Sequence, residues 1–205
     1  MHLRLLAALA GPVLLAGIAS ADPIGPDCGT CQGSLYTLTY SGSPISTTST
    51  TETFRITLTI DTSGYSGGGS FLDTVAIKVS SMLVSASLFD APGGVGAWTE
   101  VMGGLNASGC SGSGSGFDCA GANSTGVGVP TGTPYQWTWD LEMDTGSLFT
   151  DPFEASIKAR YVDSLGEKVG DLVSENITLQ IPEPATLALL GLGTAGLALA
   201  GRRRR

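Results

Sequence analysis

An all-β chain, folded as a single antiparallel β-sandwich of jelly-roll-like kind, is what the middle of this 205-residue sequence predicts. Three observations carry that expectation. Apolar and polar residues alternate at period two, the spacing of a strand with one buried face. Clusters of Gly, Ser, Pro and Asp interrupt the alternation at short intervals, as in sandwiches and jelly-rolls. Between residues 22 and 180 no stretch holds a convincing helical period.

The pattern begins near Leu35. In "ETFRITLTID" the apolar Phe54, Ile56, Leu58 and Ile60 alternate with Arg55, Thr57 and Thr59, and "DTVAIKVS" repeats this with Val75, Ile77 and Val79. The segments "SASLFD", "AWTEVM", "YQWTWDLEMD", "FEASIKARYVD" and "NITLQI" follow as strands, separated by turn clusters such as "DTSGYSGGG", "APGGVG", "GGLNASGCSGSGSG" and "DSLGEKVGD". "STTSTTET" at 46–53 reads either as an exposed linker or as the polar lead-in to a strand. No internal repeat and no second domain stand out.

The ends differ from the middle. Arg4, an apolar run from Leu5 to Ile18, and small residues at Ala19 and Ala21 form the basic, apolar and cleavage regions of a secretory signal peptide over residues 1–21. Cleavage is expected between Ala21 and Asp22. A retained anchor is the competing reading, weakened by the shortness of the run and by Gly11-Pro12 within it. Residues 22–180 then form one extracytoplasmic domain, near the commonest domain size of about 100–150 residues.

That segment carries five basic residues against seventeen acidic ones, a net charge of 5 − 17 = −12. Such a balance argues against nucleic acid and against electrostatic attachment to anionic lipid, both of which need Lys/Arg patches. The only histidine, His2, lies in the expected signal peptide. Ser-His-Asp or Cys-His nucleophiles, histidine general bases and histidine-ligated metals therefore have no residue to run on in the mature chain. Catalysis would fall to carboxylates, Tyr, Lys or Cys; the expectation is that the protein is not an enzyme and uses no cofactor.

Four cysteines, Cys28, Cys31, Cys110 and Cys119, allow three pairings. The local ones are favoured, Cys28 with Cys31 and Cys110 with Cys119 across "CSGSGSGFDC", as structural disulfides of an exported chain. A zinc site would want a second close CxxC, and a redox CxxC would open a helix where "PDCGTCQG" is turn-rich.

In "WDLEMDTG", Asp140, Glu142 and Asp144 imitate the start of a calcium loop, but the glycine falls at the seventh position and no glutamate stands at the twelfth. The plainer reading makes Trp137, Trp139, Leu141 and Met143 the buried face of a strand and leaves the acids wet. Trp98, Trp137, Trp139, Tyr135 and Tyr161 are the aromatics available for stacking on sugars; core packing is favoured for Trp137 and Trp139. A glycoside-hydrolysing carboxylate pair cannot be nominated among seventeen acids. Asn106, Asn123 and Asn176 each open an N-x-S/T triplet, meaningful only in a host that glycosylates it.

The last segment, 181–205, reads "IPEPATLALLGLGTAGLALAGRRRR". Its uncharged stretch 185–201, at about 1.5 Å per residue, just spans a thin bilayer core as a transmembrane helix. Arg202, Arg203, Arg204 and Arg205 would stop transfer and stay cytoplasmic. Pro182-Glu183-Pro184, an apolar segment and a terminal arginine cluster, in that order, resemble the PEP-CTERM sorting signal of exported Gram-negative proteins. "IKARYVDSLGEKVGDLVSE" is also similar to domains that often precede this signal, which have no assigned activity. The resemblance implies an exosortase, a membrane protease, as partner, and passage through the inner membrane to the outer surface or the extracellular matrix. It also implies a link to extracellular polysaccharide and biofilm, and a tail removed near Pro182–Pro184. A permanent single-pass anchor is the competing reading of the same tail.

Three functions follow in order: a non-enzymatic surface or matrix protein, a carbohydrate-binding module using exposed aromatics or calcium-dependent acids, and a carboxylate-based polysaccharide hydrolase. Exposure of Trp98 or Tyr135 would favour the second; two converging buried acids would favour the third.

Overall fold

The computed structural model describes residue 24 and residues 28–40, 42–148, 154–170 and 172–178. The strands, in chain order, are β1 Leu35–Tyr40, β2 Ser46–Thr47, β3 Thr51–Asp61, β4 Phe71–Lys78, β5 Leu83–Asp90, β6 Trp98–Met102, β7 Leu105–Asn106, β8 Gly109–Cys110, β9 Phe117–Ala122, β10 Val127–Gly128, β11 Tyr135–Asp144, β12 Glu154–Val162 and β13 Val173–Thr178. All pairings are antiparallel. One sheet runs β1-β3-β11-β5 with β2 added to β3; the other runs β13-β12-β4-β9-β6 with β10 added to β4. The short β7-β8 ribbon stands apart.

Alternation in the sequence dictates how the two sheets meet. Phe54, Ile56, Leu58 and Ile60 of β3 are buried together with Trp137, Trp139, Leu141 and Met143 of β11. Cross-strand register sets Leu58 against Trp137 and Ile56 against Trp139. From the second sheet, Leu72, Val75, Ile77, Ala159 and Tyr161 join the same apolar cluster. Two large indoles with no solvent exposure dominate that core, since an aromatic side chain buries roughly 150–250 Å².

Central strand β4 departs from simple alternation: every residue from Leu72 to Ile77 is buried. Its outer face is covered because the β7-β8 ribbon folds over it, and Ala76, Leu105 and Cys119 form a second small cluster there. A register shift between Arg160 and Tyr161 leaves Asp73 as the extra residue opposite β12. Its carboxylate takes both the Nε (2.9 Å) and an Nη of Arg160, while Arg160 Nη1 donates to the Ala107 carbonyl at 3.0 Å. The ion pair thus fastens the ribbon to the sheet.

Three segments differ from expectation. "STTSTTET" is neither wholly linker nor wholly lead-in: Ser46 and Thr47 turn back to pair with Thr53 and Glu52. The last strand begins at Val173 rather than Asn176. Strand β9, which is not among the expected strands, lies between β4 and the edge strand β6.

Candidate functional site

Each residue type considered as a site has a definite place. On β11 the acids face outward. Asp140 is held by Arg55 through Nε and Nη2, both at 2.7 Å, and the guanidinium lies 3.4 Å from the Phe89 ring centroid. Glu142 accepts from Thr51 and Ser85, each at 2.8 Å. These carboxylates are thus taken up by a cation and by hydroxyls along the strand.

The aromatics considered for sugar stacking are mostly interior. Trp98 is 6% exposed, donates its indole N–H to the Pro92 carbonyl at 2.8 Å and meets Trp137 edge to face at 5.2 Å. Tyr161 is buried, its hydroxyl within 2.7 Å of Tyr36 Oη and 2.8 Å of Ser34 Oγ. Burial pushes its phenol up to about 12. Tyr135 is half-buried and donates to the Gly128 carbonyl at 2.9 Å.

The cysteines stand in two pairs at disulfide distance. Cys28 and Cys31 have Cα atoms 5.3 Å apart, and Cys110 and Cys119 have theirs 5.7 Å apart. The first pair closes a turn ahead of β1. The second ties β8 to β9 and so holds the ribbon over β4.

The polar arrangement that sequence reasoning missed lies at the seam where β5, β6, β9 and β11 meet. Asp118 of β9 has no solvent exposure, and neither of its carboxyl oxygens has a hydrogen-bond partner of normal geometry. Glu100 of β6 stands beside it, with Oε1 also buried and unpartnered and Oε2 accepting the Leu88 backbone N–H at 2.8 Å. The indole nitrogens of Trp137 and Trp139 are likewise buried without a partner of normal geometry, that of Trp139 lying near enough to Asp118 to favour its charged form slightly. Burial, and then the neighbouring Glu100, raise Asp118 to about 8, so that it keeps its proton at neutral pH. No motif announces this pair. Its only trace in the sequence is the parity of "FDCA", where Cys119 faces the outer ribbon and Asp118 must therefore face inward.

Two buried acids in contact are the kind of pair carboxylate hydrolysis uses. A glycosidase pair, however, flanks a bond, with its carboxyls about 5–9.5 Å apart. Asp118 has no access to solvent, and among the described residues no group of three or more Cys, Asp or Glu side chains gathers as a metal site.

The expected cleavage site Ala21/Asp22, the sorting residues Pro182, Glu183 and Pro184, and the arginines Arg202 to Arg205 lie outside the described residues. Among the described residues no helix is long and apolar enough to cross a membrane. No curated protein and no solved structure matches the chain. Residues 180–205 do match a family, and the chain carries there the PEP-CTERM protein-sorting motif, the mark of an exported protein that transits a membrane.

Proposed function

We propose that this is a non-enzymatic cell-surface or extracellular-matrix protein. An exosortase-type enzyme receives it at the inner membrane and passes it to the outer surface or the medium, where its β-sandwich domain is linked to extracellular polysaccharide and biofilm. The observation that carries this reading is the sorting motif at 180–205. A chain closed by two short-range cysteine pairs suits an oxidising compartment outside the cytoplasm. The lack of histidine after residue 2 and the closure of the Glu100–Asp118 pair support the non-enzymatic assignment over a polysaccharide hydrolase.

The test is the intact mass of the protein recovered from a host with sorting machinery, together with the Glu183→Ala variant. The expected product starts at Asp22, ends within Pro182–Pro184 and is absent from the membrane fraction. The variant should remain membrane-bound and untrimmed. A mature chain running through Arg205, or normal processing of the variant, would count decisively against sorting.

Carbohydrate binding is the second reading. The tryptophans do not support it, being interior, and calcium dependence draws no support from Asp140 and Glu142, whose oxygens are engaged. One other surface feature favours it, the pair of lysines Lys78 and Lys158 beside Phe117.

A further inference from the structure

The five basic residues of the 22–180 segment fall into two kinds. Arg55 and Arg160 are ion-paired to Asp140 and Asp73, and Lys168 donates to the Gly170 carbonyl. Lys78 and Lys158 have no carboxylate within ion-pair distance among the described residues. Both direct their ammonium groups at one ring, with Nζ of Lys158 at 4.6 Å and Nζ of Lys78 at 5.7 Å from the centroid of Phe117.

Register explains the grouping. Lys78 of β4 stands directly across from Phe117 of β9, and Ser156 of β12 stands across from Lys78 on its other side. Lys158, two residues beyond Ser156, therefore emerges on the same outward face. Two ammonium groups gain from the ring's negative face but repel one another, in a domain where acids outnumber bases by seventeen to five. Among the described residues no carboxylate neutralises them.

A concave surface adjoins the pair. Phe117 also lines an open cleft of about 270 Å³. Its other walls include Met102, Leu83 and the glycines Gly103, Gly112 and Gly116, which leave main chain rather than side chains at the rim. Lys158 Nζ reaches towards this loop, lying 3.8 Å from the point a Cβ on Gly104 would occupy.

We propose that Lys78, Lys158 and Phe117 form a binding site for an anionic sugar, a uronate unit of an acidic polysaccharide. The sugar's carboxylate supplies the negative charge the two ammonium groups lack, its apolar ring face lies on Phe117, and its hydroxyls meet the glycine- and serine-rich rim of the cleft. The net −12 of the domain repels a polyanion elsewhere, so this pair also fixes where the polymer lands. Two lysines are too few for a nucleic acid, whose binding rests on many phosphate contacts. The inference rests on the polysaccharide-linked reading above and names the residues that would carry it.

The test is calorimetric titration of the mature protein, purified from the sorting-competent host, with an oligomer of glucuronate, the neutral glucose oligomer and inorganic phosphate. The glucuronate oligomer should bind and the glucose oligomer should not. The K78Q/K158Q double variant should weaken uronate binding by at least about tenfold, the loss expected for hydrogen bonds to a charged group. F117L should weaken it as well, and K168Q should leave it unchanged. Unaltered circular dichroism in each variant excludes misfolding as the cause. Absence of uronate binding, or wild-type binding by the double variant, overturns the proposal; inorganic phosphate binding as tightly as the oligomer overturns the sugar assignment. Sorting is read separately from the intact mass of the same preparation. A trimmed chain that ignores uronate removes this site alone, and an untrimmed chain that binds uronate removes the sorting reading alone.

Discussion

Glu100, on the edge strand of one sheet, accepts the backbone N–H of Leu88 on the edge strand of the other at 2.8 Å. A side chain thus closes the seam between two sheets where no ladder can form, and it satisfies a main-chain donor that an edge would otherwise leave bare. The same carboxylate has Asp118 beside it in the dry interior. Two charges side by side there would be far costlier than one, so the pair holds together with Asp118 protonated.

Stability should consequently depend on pH through Asp118. Its folded-state value, about 8, lies above the ordinary carboxyl value of about 3.9 of the unfolded chain. Between those limits the folded protein binds more protons than the unfolded one, so stability is greatest below the lower limit. It falls as pH rises, by about 1 kcal/mol per pH unit, and levels off above the upper limit. Asp118→Asn keeps the shape and removes the titration. Urea unfolding between pH 5 and 9 should give a declining wild-type profile relative to a flatter variant; parallel profiles would mean that Asp118 does not hold its proton.

The two arginine–aspartate pairs should respond very differently to the loss of an arginine. Side chains in the Arg160–Asp73 pair are 13% and 10% exposed, against 37% and 23% for Arg55–Asp140. Arg160→Ala strands a buried carboxylate and should cost roughly 3–5 kcal/mol, whereas Arg55→Ala exposes a carboxylate to water and should change little. Replacing both Arg160 and Asp73 by apolar residues of similar volume should recover most of the loss. Denaturant midpoints of the variants decide the matter, and an Arg55→Ala effect as large as that of Arg160→Ala would refute the role given to burial.

Much of this architecture was legible because apolar residues mark the inward face of each long strand, β4 included, although the ribbon buries its outer face as well. β3, β4, β11 and β12 declare themselves by alternation, and the inward set Trp137, Trp139, Leu141 and Met143 follows from parity alone. β9 was not legible. "FDCAGA" has two alanines, a glycine and an acid where a central strand would normally carry branched apolar residues, because Asp118 points into the core and Cys119 into the ribbon. The β7-β8 ribbon was hidden for a related reason: its own ladder is only two residues on each side, and a disulfide and an ion pair hold it in place. The Glu100–Asp118 and Lys78–Lys158–Phe117 groupings follow from cross-strand register, which one strand's pattern does not reveal.

Joining Cys110 to Cys119 closes a short loop, and a loop of about ten residues carries about 3 kcal/mol of chain-entropy stabilisation, against about 2 for the still shorter Cys28–Cys31 turn. Cys110 also does more than close a loop, since its partner Cys119 belongs to the small cluster with Ala76 and Leu105. Releasing the ribbon uncovers the outer face of β4 and the Arg160–Asp73 pair beneath it. The C110S/C119S variant should therefore lose more stability than C28S/C31S, and amide exchange should quicken at Leu72–Ile77 in the first variant only. Equal destabilisation with unchanged exchange in β4 would show that the ribbon stays in place without its tether.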